Sequence, residues 1–250
     1  MLEISGISVA YGKHLAVDRV ALNVKPGEIV LILGANGSGK TSLLKAIAGI
    51  QPAAGATIRL AGRELGGLPA HAIVEAGLAL VPEGRGIFGE LTVRENLELG
   101  AFARRARPAE VRNLRHVLEL FPRLGERLGQ QVRTMSGGEQ QMVAVGRALM
   151  SAPSILLLDE PSLGLSPLMC KELFAALARI RDDGLGILLV EQNARRSLAI
   201  ADRGYLIANG RIVGEGSAQD LRNDPAVQRA YLGAAEPGLT APAQDGAGSA

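Results

Sequence analysis

Eight consecutive residues, Gly34-Ala35-Asn36-Gly37-Ser38-Gly39-Lys40-Thr41, follow the pattern G-x-x-x-x-G-K-[ST]. Glycines at these positions let successive backbone N–H groups close around phosphate oxygens. A helix starting at Lys40 adds the positive end of its dipole and further N–H groups, including that of Ser42. Lys40 is then placed to reach terminal phosphates, and the Thr41 hydroxyl to bind Mg²⁺. A second pattern, Ile155-Leu156-Leu157-Leu158-Asp159-Glu160-Pro161, puts a carboxylate at the end of a short apolar run. Asp159 can hold a metal ion there, and Glu160 can polarise an attacking water. A third, Ser136-Gly137-Gly138-Glu139-Gln140, precedes a helical stretch. Ser136 and Glu139 form the S-x-x-E capping box, which accounts for a helix start. The two glycines add bare backbone that a phosphate can approach.

Elements must carry these residues to one place. Alternating apolar positions in the first 24 residues predict two antiparallel strands, followed by the turn Lys25-Pro26-Gly27. Ile29–Leu33 reads as a buried strand feeding the glycine loop, with a helix over 40–48 that ends at Gly49. Thr57–Leu60 and Leu78–Val81 read as strands, with a turn over 61–63 between them. From 92 to 150 the spacing turns helical, with Val111, Leu114, Val117, Leu118 and Phe121 on one helix face. Strands over 155–158 and 186–190 then alternate with helices over 167–181 and 194–201. A hairpin follows, 205–208 with 211–214, around Asn209-Gly210. Such alternation implies a mostly parallel sheet.

The 250 residues suffice for one sizeable core, and 47% of them are hydrophobic. A net charge of +2 does not mark a nucleic-acid binder, and no nucleic-acid partner is expected. Lone Cys170 excludes an intrachain disulfide and reads as a small buried helix residue in a reducing compartment. The start of the chain has no signal-peptide pattern, and no apolar run nears the roughly 20 residues of a membrane span. A membrane role would therefore be peripheral. Arg104, Arg105, Arg107, Arg112 and Arg115 read as a solvated face, and the three histidines have no metal-ligand company.

Together and in this order, the three motifs resemble those of the nucleotide-binding domains of ABC proteins, over about residues 1–233. The resemblance implies an α/β P-loop NTPase fold. Its parts are a mostly parallel core sheet, an N-terminal antiparallel β subdomain and a helical subdomain inserted at about 92–150. The Ala-, Gly- and Pro-rich tail over 234–250 is expected to be disordered. The family further implies ATP hydrolysis with Mg²⁺ in a head-to-tail dimer. Each site would pair the glycine loop of one subunit with Ser136, Gly137, Gly138, Glu139 and Gln140 of the other.

By the same resemblance, Tyr11 matches the aromatic that stacks on adenine, although it also reads as a strand-end aromatic. Glu83 stands where most relatives have a glutamine that touches Mg²⁺ and faces the membrane subunit. Ser166 replaces a usual aspartate. Gln192 replaces a histidine that contacts the γ-phosphate. VPEGR at 81–85, LTVRENL at 91–97, EPSLGL at 160–165, LVEQN at 189–193 and ADRGY at 201–205 resemble the ATPases of branched-chain amino-acid importers. Close relatives serve urea, amides and other small solutes. The implied partners are a second ATPase subunit, identical or paralogous, membrane permeases and, indirectly, a solute-binding protein. The implied location is the cytoplasmic face of the plasma (inner) membrane. No sustained heptads separate Lys40 from Asp159, as they would in chromosome-type relatives, and a single signature argues against the two-unit translation type.

Overall fold

The structure, a computed structural model, describes residues 1–192 and 194–231; Asn193 and the expected tail lie outside them. In chain order the elements begin with β1 (Leu2–Tyr11), β2 (His14–Val24), β3 (Ile29–Leu33), α1 (Lys40–Ile47), β4 (Thr57–Leu60), β5 (Arg63–Glu64), α2 (Ala70–Ala76) and β6 (Leu78–Val81). The helical stretch holds α3 (Val93–Gly100), α4 (Glu110–Leu120), α5 (Pro122–Gly125) and α6 (Gly137–Met150). Then come β7 (Ile155–Asp159), α7 (Pro167–Asp182), β8 (Gly186–Glu191), α8 (Ala194–Ser197), β9 (Arg203–Ala208), β10 (Arg211–Ser217), α9 (Ala218–Asn223) and α10 (Pro225–Tyr231).

Two sheets result. The order β2-β1-β4-β5 is antiparallel throughout, and the order β10-β9-β3-β8-β7-β6 is parallel except for its β9–β10 hairpin. This is the mixed α/β architecture that the alternation predicts. In β1 and β2, Leu2, Ile4, Val20, Leu22 and Val24 are buried while their neighbours face out, the period-2 signature of a half-covered sheet. The central strand β3 is covered on both faces. Ile29, Leu31 and Leu33 join the core under α6 and α7, whereas Val30 and Ile32 join the core shared with α1 and the antiparallel sheet. An uninterrupted apolar run is what such a strand requires.

Three details differ from the sequence expectations. The helix expected over 194–201 keeps α-helical form only over Ala194–Ser197. Beyond it, Ala199 and Ile200 bond three residues back, so the chain tightens into turns. Val111 does not share the buried face of α4: it is 74% exposed, because only the later turns of that helix, with Val117 and Leu120, reach the core. Helices α2, α9 and α10 were not anticipated; each has seven residues or fewer, too short for a clear period. Cys170 is buried in α7, and the five arginines at 104–115 are exposed. Among the described residues no helix is long and apolar enough to cross a membrane.

Candidate functional site

The sheet order settles which residues can meet. Strands β3, β8, β7 and β6 are consecutive and parallel, so their carboxyl ends lie along one edge. The 34–41 loop leaves β3, Gln192 follows β8, Asp159 and Glu160 stand at the end of β7, and Glu83 follows β6. This edge is where open α/β sheets bind ligands.

The loop after β3 is built for an anion. Helices α3, α6 and α9 each carry a capping box, but α1 begins at Gly39 with no side-chain cap. Its first-turn N–H groups are therefore without a capping side chain. Gly39 has φ +103°, and a Cβ there would lie 2.3 Å from the Ala16 carbonyl oxygen of β2, so only glycine fits. Ala35, Asn36 and Gly37 form the exposed arch of the loop, and Ser38 is buried beneath it. The Ser38 hydroxyl oxygen is buried without a hydrogen-bond partner, an unmet polar atom that a phosphate oxygen would satisfy. The turn of the β9–β10 hairpin props the loop from below: Gly210 N–H donates to the Ser38 carbonyl at 3.0 Å.

The charged side chains converge on this loop. Lys40 is 4% exposed; its Nζ donates to the carbonyls of Gly34 at 2.9 Å and Ala35 at 3.0 Å, and lies 3.2 Å from Glu160 Oε1. Thr41 Oγ1 donates to Asp159 Oδ1 at 3.1 Å. Burial pushes the Asp159 carboxyl above the ordinary aspartate range, and the nearby Glu160 and Glu83 carboxylates push the same way, against the Thr41 hydrogen bond. A hydroxyl beside an acid in so negative a setting suits a hard divalent cation, with phosphate oxygens completing its shell. Among the described residues no cluster of three or more acidic, His or Cys side chains forms a self-sufficient metal cage. Gln192 is exposed just past β8, and Tyr11 is 45% exposed at the tip of the β1–β2 hairpin, where it pairs with His14. Ser42 is half-buried in the first turn of α1.

The remaining motif lies elsewhere. Ser136 caps α6: its hydroxyl donates to Glu139 Oε2 at 2.7 Å, and Glu139 N–H donates back at 3.4 Å. Burial disfavours the Glu139 carboxylate, but the Ser136 hydroxyl, its N–H and Arg127 outweigh this and hold it below the ordinary range. A Cβ on Gly138 would meet Met169 of α7 at 2.6 Å, and one on Gly137 would meet the Arg85 guanidinium at 2.8 Å. Arg85 also donates to Gln140 Oε1 at 2.7 Å. The polar contacts of Ser136 and Glu139 run to each other and to Arg127, and among the described residues none of them reaches the 34–41 loop.

Glu191, at the end of β8, is the residue that sequence reasoning passed over. It is 2% exposed, and its Oε1 accepts from Ser162 N–H at 3.1 Å. Burial lifts its carboxyl from 4.5 to about 7, with the Glu160 charge adding to the rise and bonds from Ser162 and Gln192 opposing it. An acid closing an apolar strand beside Gln192 was the available signal. The folded protein thus holds this proton more tightly than the unfolded chain does, and stability falls as pH rises from 4.5 toward 7. The loss is about 3 kcal/mol when complete. Thermal melts at pH 5 and pH 8 should therefore lie closer together in Glu191→Gln than in the wild type. Equal separations in both would show that Glu191 does not titrate on unfolding.

Comparison with known proteins bears on this geometry. A family model described as ABC transporter matches residues 17–163, and one described as branched-chain amino acid ATP-binding cassette transporter matches residues 211–237. The chain is 49% identical over 233 residues to the high-affinity branched-chain amino acid transport ATP-binding protein BraG of Pseudomonas aeruginosa, spanning 93% of this chain and 100% of BraG. It is 36% identical to the probable branched-chain amino acid transport ATP-binding protein LivF of Archaeoglobus fulgidus, over 88% of this chain and 93% of that one. The crystal structure of the ADP conformation of MJ1267, an ATP-binding cassette of an ABC transporter, superposes with a TM-score of 0.80 at 26% identity, covering 93% of this chain and 98% of that chain.

Proposed function

The chain belongs to the ATP-binding subunits of the ABC transporter family, and from that membership we propose that it powers an importer of branched-chain amino acids. The observation that carries the ATP chemistry is the convergence of Lys40, Thr41, Asp159 and Glu160 at the edge of the core sheet. The solute rests on the likeness to BraG and LivF and on the matched C-terminal segment.

In this reading the N–H groups of the 34–41 loop and Ser38 Oγ receive the phosphates. Lys40 turns from the Gly34 and Ala35 carbonyls toward the β- and γ-phosphates. Mg²⁺, held through Thr41 and Asp159 with Glu83 nearby, would neutralise phosphate charge when bound. Glu160 takes a proton from water as the water oxygen bonds to the γ-phosphorus. The bond to the β–γ bridging oxygen breaks, leaving ADP and phosphate. Gln192 donates its amide to the γ-phosphate and holds it without a proton to titrate near neutral pH. Tyr11 stacks on adenine.

By family membership, the Ser136, Gly137, Gly138 and Glu139 motif would serve the nucleotide of a second subunit, identical or paralogous, in a head-to-tail dimer. A groove between α2, β6, α3 and α6 supports a further contact. It exposes Phe88, Leu99 and Phe102 beside Arg85 and Arg147, and the 82–88 segment that carries Glu83 borders it. An apolar patch of this kind marks an interaction site, and its proposed occupant is a cytoplasmic helix of the membrane permease. The subunit would then sit peripherally on the cytoplasmic face, with solute chosen by the permease and a binding protein.

Purification from the native membrane tests this: permease subunits should co-purify, and the assembled complex should take up radiolabelled leucine only with ATP. Phe102→Glu should release the permease while leaving nucleotide affinity unchanged. A complex that excludes leucine, isoleucine and valine but imports urea or an amide would reassign the solute.

A further inference from the structure

Two main-chain segments at the sheet edge are fastened to each other. β7 and β8 pair in register, with Asp159 opposite Val190. The chain then turns at Glu160, whose φ of +46° is a left-handed value that few non-glycine residues adopt. Two hydrogen bonds secure that turn to β8: Glu160 N–H donates to the Val190 carbonyl at 2.9 Å, and Ser162 N–H donates to Glu191 Oε1 at 3.1 Å. One buried side chain at the end of β8 therefore fastens the loop behind Glu160. Cys170 Sγ adds two longer contacts, 3.8 Å each, to the Ser162 and Leu165 carbonyls.

We propose that Glu191 is a positioning residue for hydrolysis, fixing the loop of Glu160 and the strand end of Gln192 as one unit; this rests on the roles given to Glu160 and Gln192 above. Burying a carboxylate is costly, and an apolar side chain would complete a buried strand end more cheaply. The lifted proton affinity of the group records that cost. What an apolar residue cannot supply is an acceptor for the Ser162 N–H. Phosphoryl transfer depends chiefly on positioning, so small shifts of the base and of the γ-phosphate donor reach the rate rather than the affinity.

The test uses Glu191→Met, which keeps the volume without the acceptor, and Glu191→Gln, which keeps Oε1 as an acceptor for Ser162 N–H. Both are assayed in the full chain assembled with its partner subunits. Glu191→Met should lower kcat by about tenfold, equivalent to one lost positioning interaction, with KM for ATP within about twofold of wild type. Glu191→Gln should recover most of that loss. Wild-type kcat in Glu191→Met overturns the proposal, as does a Glu191→Gln rate as low as that of Glu191→Met. If both variants melt early, single-turnover hydrolysis on the fraction that binds ATP gives the same comparison. Glu160→Gln run alongside separates the two ideas. If it is inactive while Glu191→Met is fully active, only the Glu191 proposal fails. If Glu160→Gln is fully active, the underlying reading of the site fails.

Discussion

Glu160→Gln should bind ATP normally and hydrolyse it about 10²- to 10⁴-fold more slowly, the range for loss of a positioned general base. The amide keeps the shape and the left-handed backbone of the residue but cannot accept the proton of water. It also removes the ion pair with Lys40, which frees that ammonium for phosphate. Since the nucleotide is bound but not cleaved, it should hold two subunits together. Size-exclusion chromatography with ATP, and with the paralogous subunit if the native pair is mixed, should show a dimer that the wild type forms only transiently. A variant that releases phosphate at the wild-type rate would remove Glu160 from its role.

Lys40→Ala should act at the earlier step, weakening ATP affinity by about 10- to 100-fold. Charge-assisted hydrogen bonds contribute about 1.5–3 kcal/mol each, and the side chain is aimed at the most highly charged part of the nucleotide. The lysine is also 96% buried by its 4% exposure and ties together the Gly34 and Ala35 carbonyls. Alanine therefore leaves Glu160 without its cation and takes one donor each from the Gly34 and Ala35 carbonyls. Titration with a fluorescent ATP analogue measures the affinity, and a thermal melt without nucleotide reports the structural share. Unchanged affinity would place the phosphates elsewhere.

The parts of this molecule that were legible in the sequence are those written in consecutive residues. The 34–41 loop, the acid pair after β7 and the Asn209-Gly210 hairpin are local patterns whose chemistry follows from residue type and order. The parallel sheet follows too, because short apolar runs alternate with helices. Long-range packing was not legible. The Gly138 requirement comes from Met169, the Gly39 requirement from Ala16, and the Glu191 anchor from Ser162. Each pairs residues more than twenty positions apart, and no periodicity encodes such a meeting. Val111 shows the converse error: its spacing was right for the face of α4, but the core ends before reaching it.

The hairpin beneath the phosphate loop has a consequence for how the chain is made. Strand β3 and its loop emerge early from the ribosome, yet β3 pairs only with β8 and β9, and Ser38 is braced by Gly210. A nascent chain halted between residues 41 and 186 has the complete glycine motif but neither flanking strand, and one halted before residue 210 still lacks the brace. Contacts of such long sequence separation form late and slowly. Competence for nucleotide therefore arrives near the end of synthesis, and an incomplete subunit has no formed site with which to draw on cellular ATP.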